Sequence, residues 1–205
     1  MTFRRIRLPE HLKDDQVPEY GKLWSFLELF GPSARETWND SPSSGAGTTE
    51  PEIQAWFNLS AFVARLTKTG TEEFWLYAVW EFRDALEASA TSRTGDDDAG
   101  VVDSSGVRID LRTTLVWLKI AGKEMWEACN RGEQMNDIPI DNDSCSKDCP
   151  WYGCGELSRG QWNYWKSSFG VILVSKSDKW PNGAKKFAAE ALRLMESIEG
   201  RSVLT

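Results

Sequence analysis

The sequence predicts an all-α protein, an irregular bundle of five long helices and one short helix, with two long polar loops. Three observations carry this expectation. Apolar side chains recur at three- and four-residue spacing through most of the chain, the repeat that gathers them on one face of a helix. Residues that start and stop helices bracket those segments. No stretch keeps the apolar–polar alternation of a strand, and no internal repeat of fixed period occurs. A chain of 205 residues fits one domain spanning 1–205, with 1–16 and 200–205 expected as flexible tails.

A first helix is expected from Pro18 to Phe30, where Tyr20, Leu23, Trp24, Leu27 and Phe30 fall at helical spacing. Gly31 and Pro32 stop it. Ser33 and Glu36 form a capping-box pattern that opens a short helix through Trp38. A Ser-, Gly- and Pro-rich loop follows. Thr49 and Glu52 make a second capping box, with Pro51 in the first turn, and the helix they open runs to Lys68, before Gly70. Ile53, Trp56, Phe57, Leu59, Phe62, Val63 and Leu66 cover more than half of its circumference. A helix apolar over so much of its surface is expected at the centre of the bundle.

Thr71 is expected to cap the next helix, with Glu72 and Glu73 at its positive end. It runs to Ala88 with Phe74, Ala78, Phe82 and Ala85 on one ridge and Trp75, Val79 and Leu86 on another. Residues 89–106 read as the first long polar loop. The segment from Val107 to Arg131 has Leu111, Leu115, Trp117, Leu118, Ala121, Met125, Ala128 and Cys129 on one face and Arg112, Lys119, Lys123 and Glu127 on the other. That pattern predicts an amphipathic surface helix, closed by Gly132. Residues 133–156 form the second long loop. Two further helices are expected, over 158–174 with Trp162, Trp165, Phe169, Ile172 and Leu173 inward, and from Pro181 with Ala184, Phe187, Ala188, Ala191, Leu192, Met195 and Ile198 inward.

Composition narrows the function. Eleven Trp, nine Phe and four Tyr are far more aromatic mass than a core of this size requires. They form either a bulky core or an aromatic-lined cavity or contact surface. A formal net charge of −7 and the lack of a dense Lys/Arg run argue against nucleic acid as a partner. The opening residues Met1 to Glu10 are basic but lack the apolar run of a signal peptide. No apolar stretch is long enough for a membrane span, so no membrane association is expected and the cytoplasm is the expected compartment, with the nucleus as the alternative.

The single histidine, His11, makes Ser-His-Asp and Cys-His catalysis improbable. No phosphate-cradling glycine motif is present, so no cofactor is expected. Cys145, Cys149 and Cys154 cluster without zinc-finger spacing, and no metal is expected there; free thiols and a loop disulfide both remain open. Asp96-Asp-Asp98 and Asp141-Asn-Asp143 read as solvated loop residues.

Polar groups among aromatics are then the candidates for function. Asn58 and Arg65 stand seven residues apart on one side of the 49–68 helix. Glu81 lies on the following helix beside Tyr77. One reading pairs Arg65 with Glu81 as an ion pair that fixes helix register. The other places Trp56, Asn58, Arg65, Tyr77, Trp162 and Trp165 around a ligand, with Glu81 as a proton-transfer group.

The string Trp56-Phe-Asn-Leu-Ser-Ala-Phe-Val-Ala-Arg-Leu66 resembles the central motif of an uncharacterised, all-helical fungal family. Trp24, Arg35-Glu-Thr-Trp-Asn39, Phe82-Arg-Asp-Ala-Leu-Glu87, and Trp162 with Trp165 follow in the order that family shows. Ser60 stands where the family has Asn, and Gln161 where it has a basic residue. The resemblance covers about residues 20 to 195. It implies a fungal, intracellular, helical protein classed as a domain of unknown function. By analogy with small fungal proteins of secondary metabolism, it implies a hydrophobic small-molecule ligand. The alternative expectation is an interaction module or homodimeric scaffold without activity, docking through Trp151, Tyr152 and Trp180 or through either of the last two helices.

Overall fold

The computed structural model describes residues 36–38, 41–42, 48–70, 74–88, 104–133, 157–176, 180 and 183–202. The protein is all-α. Among the described residues there is one helical turn at 36–38 and five helices: α1 Glu50–Lys68, α2 Trp75–Arg83, α3 Ser104–Arg131, α4 Arg159–Val174 and α5 Ala184–Ser202. The expected first helix, the cap at Thr71, both aspartate runs, Cys145, Cys149, Cys154, Trp151 and Tyr152 lie outside the described residues.

The helix ends follow local chemistry. Thr49 donates its backbone N–H and its hydroxyl to Glu52 Oε2, each at 2.7 Å. Those two bonds hold the Glu52 carboxyl below its usual range, the backbone bond contributing most. At the other end of α1, Thr67 does two jobs. Its hydroxyl donates to Val63 O at 3.0 Å and accepts from Phe74 N at 3.2 Å, fixing the corner into α2. Ser158 caps α4 by accepting from Gln161 N. Gly132 ends α3 at φ 64°, a left-handed conformation that costs glycine little, and Glu133 N closes the turn onto Ala128 O.

α2 does not continue as a plain α-helix. Asp84–Ala88 forms a π turn, yet both expected ridges stay buried through Leu86. α5 begins after Gly183 and extends to Ser202, beyond the expected fraying point at Gly200.

The centre of the bundle is α3, which α1, α2, α4 and α5 all pack against. This corrects the expectation that the 49–68 helix is central and 107–131 peripheral. On α1, Phe62 is 48% exposed, Ile53, Leu59 and Leu66 are half-buried, and Gln54, Asn58, Arg65 and Lys68 face outward. On α3, by contrast, Asp110, Thr113, Thr114 and Trp126 are buried along with the expected apolar face. Thr113 and Thr114 donate their hydroxyls to Ile109 O and Leu111 O. Back-bonding of this kind satisfies a hydroxyl inside its own helix, so a polar letter can sit on a buried face at little cost.

Candidate functional site

The sequence-nominated residues separate into four places. Trp56 on α1 and Tyr77 on α2 meet through Trp38, with ring centroids 4.6 Å and 4.8 Å from it. Phe74 and Trp80 extend this cluster at 5.3 and 5.4 Å from Tyr77. Trp162 and Trp165 belong to a second, fully buried cluster, where Trp162 packs on Trp126 at 5.2 Å and Trp165 on Phe82 at 4.4 Å. Asn58 and Arg65 join neither. Both are exposed on the outer face of α1, and Asn58 accepts from Gln54 Nε2 at 3.1 Å.

Glu81 is buried, 4% exposed, at the contact of α2 with α3. Arg65 does not pair with it, because one side chain faces solvent and the other the core. Burial pushes the Glu81 carboxyl well above the ordinary carboxylate range, and the negative charges of Asp110 and Asp84 push it further. Both effects shift Glu81 towards its protonated form at this buried position. Asp110, which lies within the expected 107–131 helix but is not among the sequence-nominated residues, is its buried neighbour.

Among the described residues, the buried indole N–H groups of Trp56, Trp117 and Trp126 and the Gln161 Oε1 meet no hydrogen-bond partner. The Trp162 N–H does: it donates to Glu199 Oε1 at 2.9 Å, and Lys166 Nζ holds the other carboxylate oxygen at 2.6 Å. Cys129 is a buried thiol whose pKa is pushed up to about 12 by burial. No group of three or more His, Cys, Asp or Glu among the described residues is placed to hold a metal ion. No described helix is long and apolar enough to cross a membrane.

A groove of about 270 Å³ opens between α1, α3 and α5. Gln54 and Phe57 of α1, Arg112, Leu115, Val116 and Lys119 of α3, and Phe187 and Glu190 of α5 line it. Four apolar side chains make its body and four polar ones its rim. Arg112 places its guanidinium carbon 4.1 Å above the centre of the Phe57 ring. Lys119 Nζ is bound to Glu190 Oε1 at 2.7 Å, closing the α3–α5 side. The Lys119 hydrogen bond is the main reason the Glu190 carboxyl lies below its usual range, with the charges of Lys119, Arg193 and Lys186 adding to it.

Sequence reasoning missed this groove. Arg112 and Lys119 were taken for the solvent face of an amphipathic helix, although Leu115 and Val116 between them were the signal of an apolar floor. Gln54, exposed on α1, links Asn58 to the groove edge.

Neither a curated protein nor a solved structure is similar enough to this chain to count as a match. A family model described as "Protein of unknown function (DUF3632)" matches residues 2–169, most of the length, and the chain belongs to that family.

Proposed function

We propose that this protein binds a small hydrophobic molecule in the groove between α1, α3 and α5. The observation that carries the reading is the lining itself: Phe57, Leu115, Val116 and Phe187 form one apolar surface, ringed by Gln54, Arg112, Lys119 and Glu190. Ligand sites combine an apolar body with a few placed polar groups in this way. At about 270 Å³ the site falls just below the roughly 300–1,000 Å³ range of such pockets, which suits a single-ring compound or a short chain. By analogy with fungal proteins that the Trp56–Leu66 motif resembles, the ligand belongs to cytoplasmic secondary metabolism; the genes flanking this one test that extension.

Binding is measured by calorimetry with phenylbutanol as the probe. Saturable binding to the wild-type chain, lost when Val116→Trp fills the groove, is the expected result. Failure of the wild-type protein to bind either phenylbutanol or the matching acid, phenylbutanoate, overturns the reading.

A second reading, a homodimer through α4, is favoured by Val171 and Val174, which are 62% and 75% exposed one turn apart at its C-terminal end. Trp180 is half-buried against the core and contributes little to such a surface. Sedimentation of the wild-type chain and of Val171→Glu distinguishes a dimer from a monomer; a monomer in both removes this reading.

A further inference from the structure

We propose that the occupant of the groove is a monoanion, a small amphipathic carboxylate whose head group is held by Arg112; this rests on the groove being a ligand site. Three charged side chains line the groove, two cationic and one anionic. Lys119 and Glu190 neutralise each other at 2.7 Å. Arg112 is left over. Among the described residues it has no ion pair, and its one close partner is the face of Phe57. The groove therefore carries a surplus of one positive charge on a chain whose formal net charge is −7.

Stacking prepares Arg112 for an anion. A guanidinium laid against an aromatic ring leaves its N–H donors at the edge, in the fork that matches the two oxygens of a carboxylate. The ring also limits the rotamers of a long side chain, so less freedom is lost when the fork closes on a ligand. An uncharged apolar ligand would shield the half-buried guanidinium from water and return no hydrogen bond. A carboxylate returns two. A dianionic phosphate fits less well, because Glu190 stands in the same groove and only one cation is uncommitted. The apolar part of the ligand lies along Leu115, Val116 and Phe187.

The test is a matched pair, phenylbutanoate against phenylbutanol, titrated calorimetrically into the wild-type chain, Arg112→Gln and Arg112→Lys, with phenyl phosphate as a third ligand. The wild-type protein is expected to bind the acid at least about tenfold more tightly than the alcohol. Arg112→Gln is expected to abolish that preference, its loss falling at least about tenfold more heavily on the acid than on the alcohol, with helical circular dichroism equal to that of the wild type showing that the variant is folded. Arg112→Lys keeps part of it. Equal affinity for acid and alcohol, a preference that survives Arg112→Gln, or tighter binding of phenyl phosphate than of the acid overturns the monoanion assignment and leaves the groove standing. Failure of both phenylbutanoate and phenylbutanol to bind removes the groove as a ligand site, and this proposal with it.

Discussion

The indole N–H of Trp162 donates to Glu199 Oε1 across 2.9 Å, and this bond ties α4 to α5 from inside the core outward. Trp162 is fully buried while Glu199 is half-buried, with its second oxygen on Lys166. The pair matters because three other buried indoles lack such an acceptor. Glu199→Ala would put Trp162 in the same state. A buried donor left without a partner costs about 1–3 kcal/mol, and that loss is expected in urea unfolding. Glu199→Gln keeps an acceptor and is expected to lose less than half as much. Equal losses in the two variants would show that the Lys166 charge, and not the indole bond, is what α4 and α5 depend on.

Glu81 makes stability depend on pH. Its carboxyl is raised above the ordinary 4.5, chiefly by burial and further by Asp110 and Asp84, so the folded chain holds a proton that the unfolded chain releases. The contribution is full below the unfolded value and is lost as pH rises through the folded one. Glu81→Gln removes the ionisable group and keeps the shape. The variant is therefore expected to match the wild type near pH 4 and to exceed it as pH rises above the ordinary carboxylate value of 4.5, read as urea midpoints. A wild type more stable than the variant throughout that range would mean that the Glu81 charge is stabilised, not penalised, at the α2–α3 contact.

The hub position of α3 sets a contrast between two large residues. Trp117 is fully buried at the middle of α3, and Trp117→Ala is expected to cost about 3–5 kcal/mol, as aromatic truncations in cores do. Trp56→Ala, in the Trp38–Tyr77 cluster, falls in the same range. Phe62→Ser is expected to cost clearly less, about 1–1.5 kcal/mol, because nearly half of that side chain is already in water. A Phe62 loss approaching that of Trp117 would return α1 to the centre of the bundle.

The fold was legible where chemistry is local. Thr49 with Glu52, Ser158, Gly70 and Gly132 each announce a helix end through bonds or backbone angles made within a few residues. The buried ridges of α2 and α5 follow from spacing alone. What failed was the choice of which helix others surround. The helical spacing puts Phe62 and Leu173 inward, where they are 48% and 39% exposed, and leaves Asp110, Thr113 and Thr114 off the apolar face of 107–131, where they are buried, because burial depends on the neighbour that each face meets. The π turn at Asp84–Ala88 and the Glu81–Asp110 approach are likewise tertiary facts with no pattern in the chain. The groove was illegible for the same reason: its three walls come from segments more than fifty residues apart, and only the contact with Phe57 distinguishes Arg112 from an ordinary surface arginine.

Gly122 lies where α3 packs tightly on Ile198 of α5. A Cβ built there would stand 2.7 Å from Ile198 Cδ1, well inside contact distance. Two effects oppose each other in Gly122→Ala. Alanine gains about 0.5–1 kcal/mol over glycine in a helix interior. Overpacking of a buried contact costs about 1–3 kcal/mol unless the neighbour moves, and the atom in the way is the tip of a buried side chain. The single variant is therefore expected to be neutral to destabilised. Ile198→Val removes the clashing atom, and in that background Gly122→Ala is expected to stabilise, giving a coupling of about 0.5–3 kcal/mol in the double-mutant cycle. Strict additivity of the two substitutions would mean that α5 does not sit on Gly122, and the α3–α5 wall of the groove would have to be redrawn.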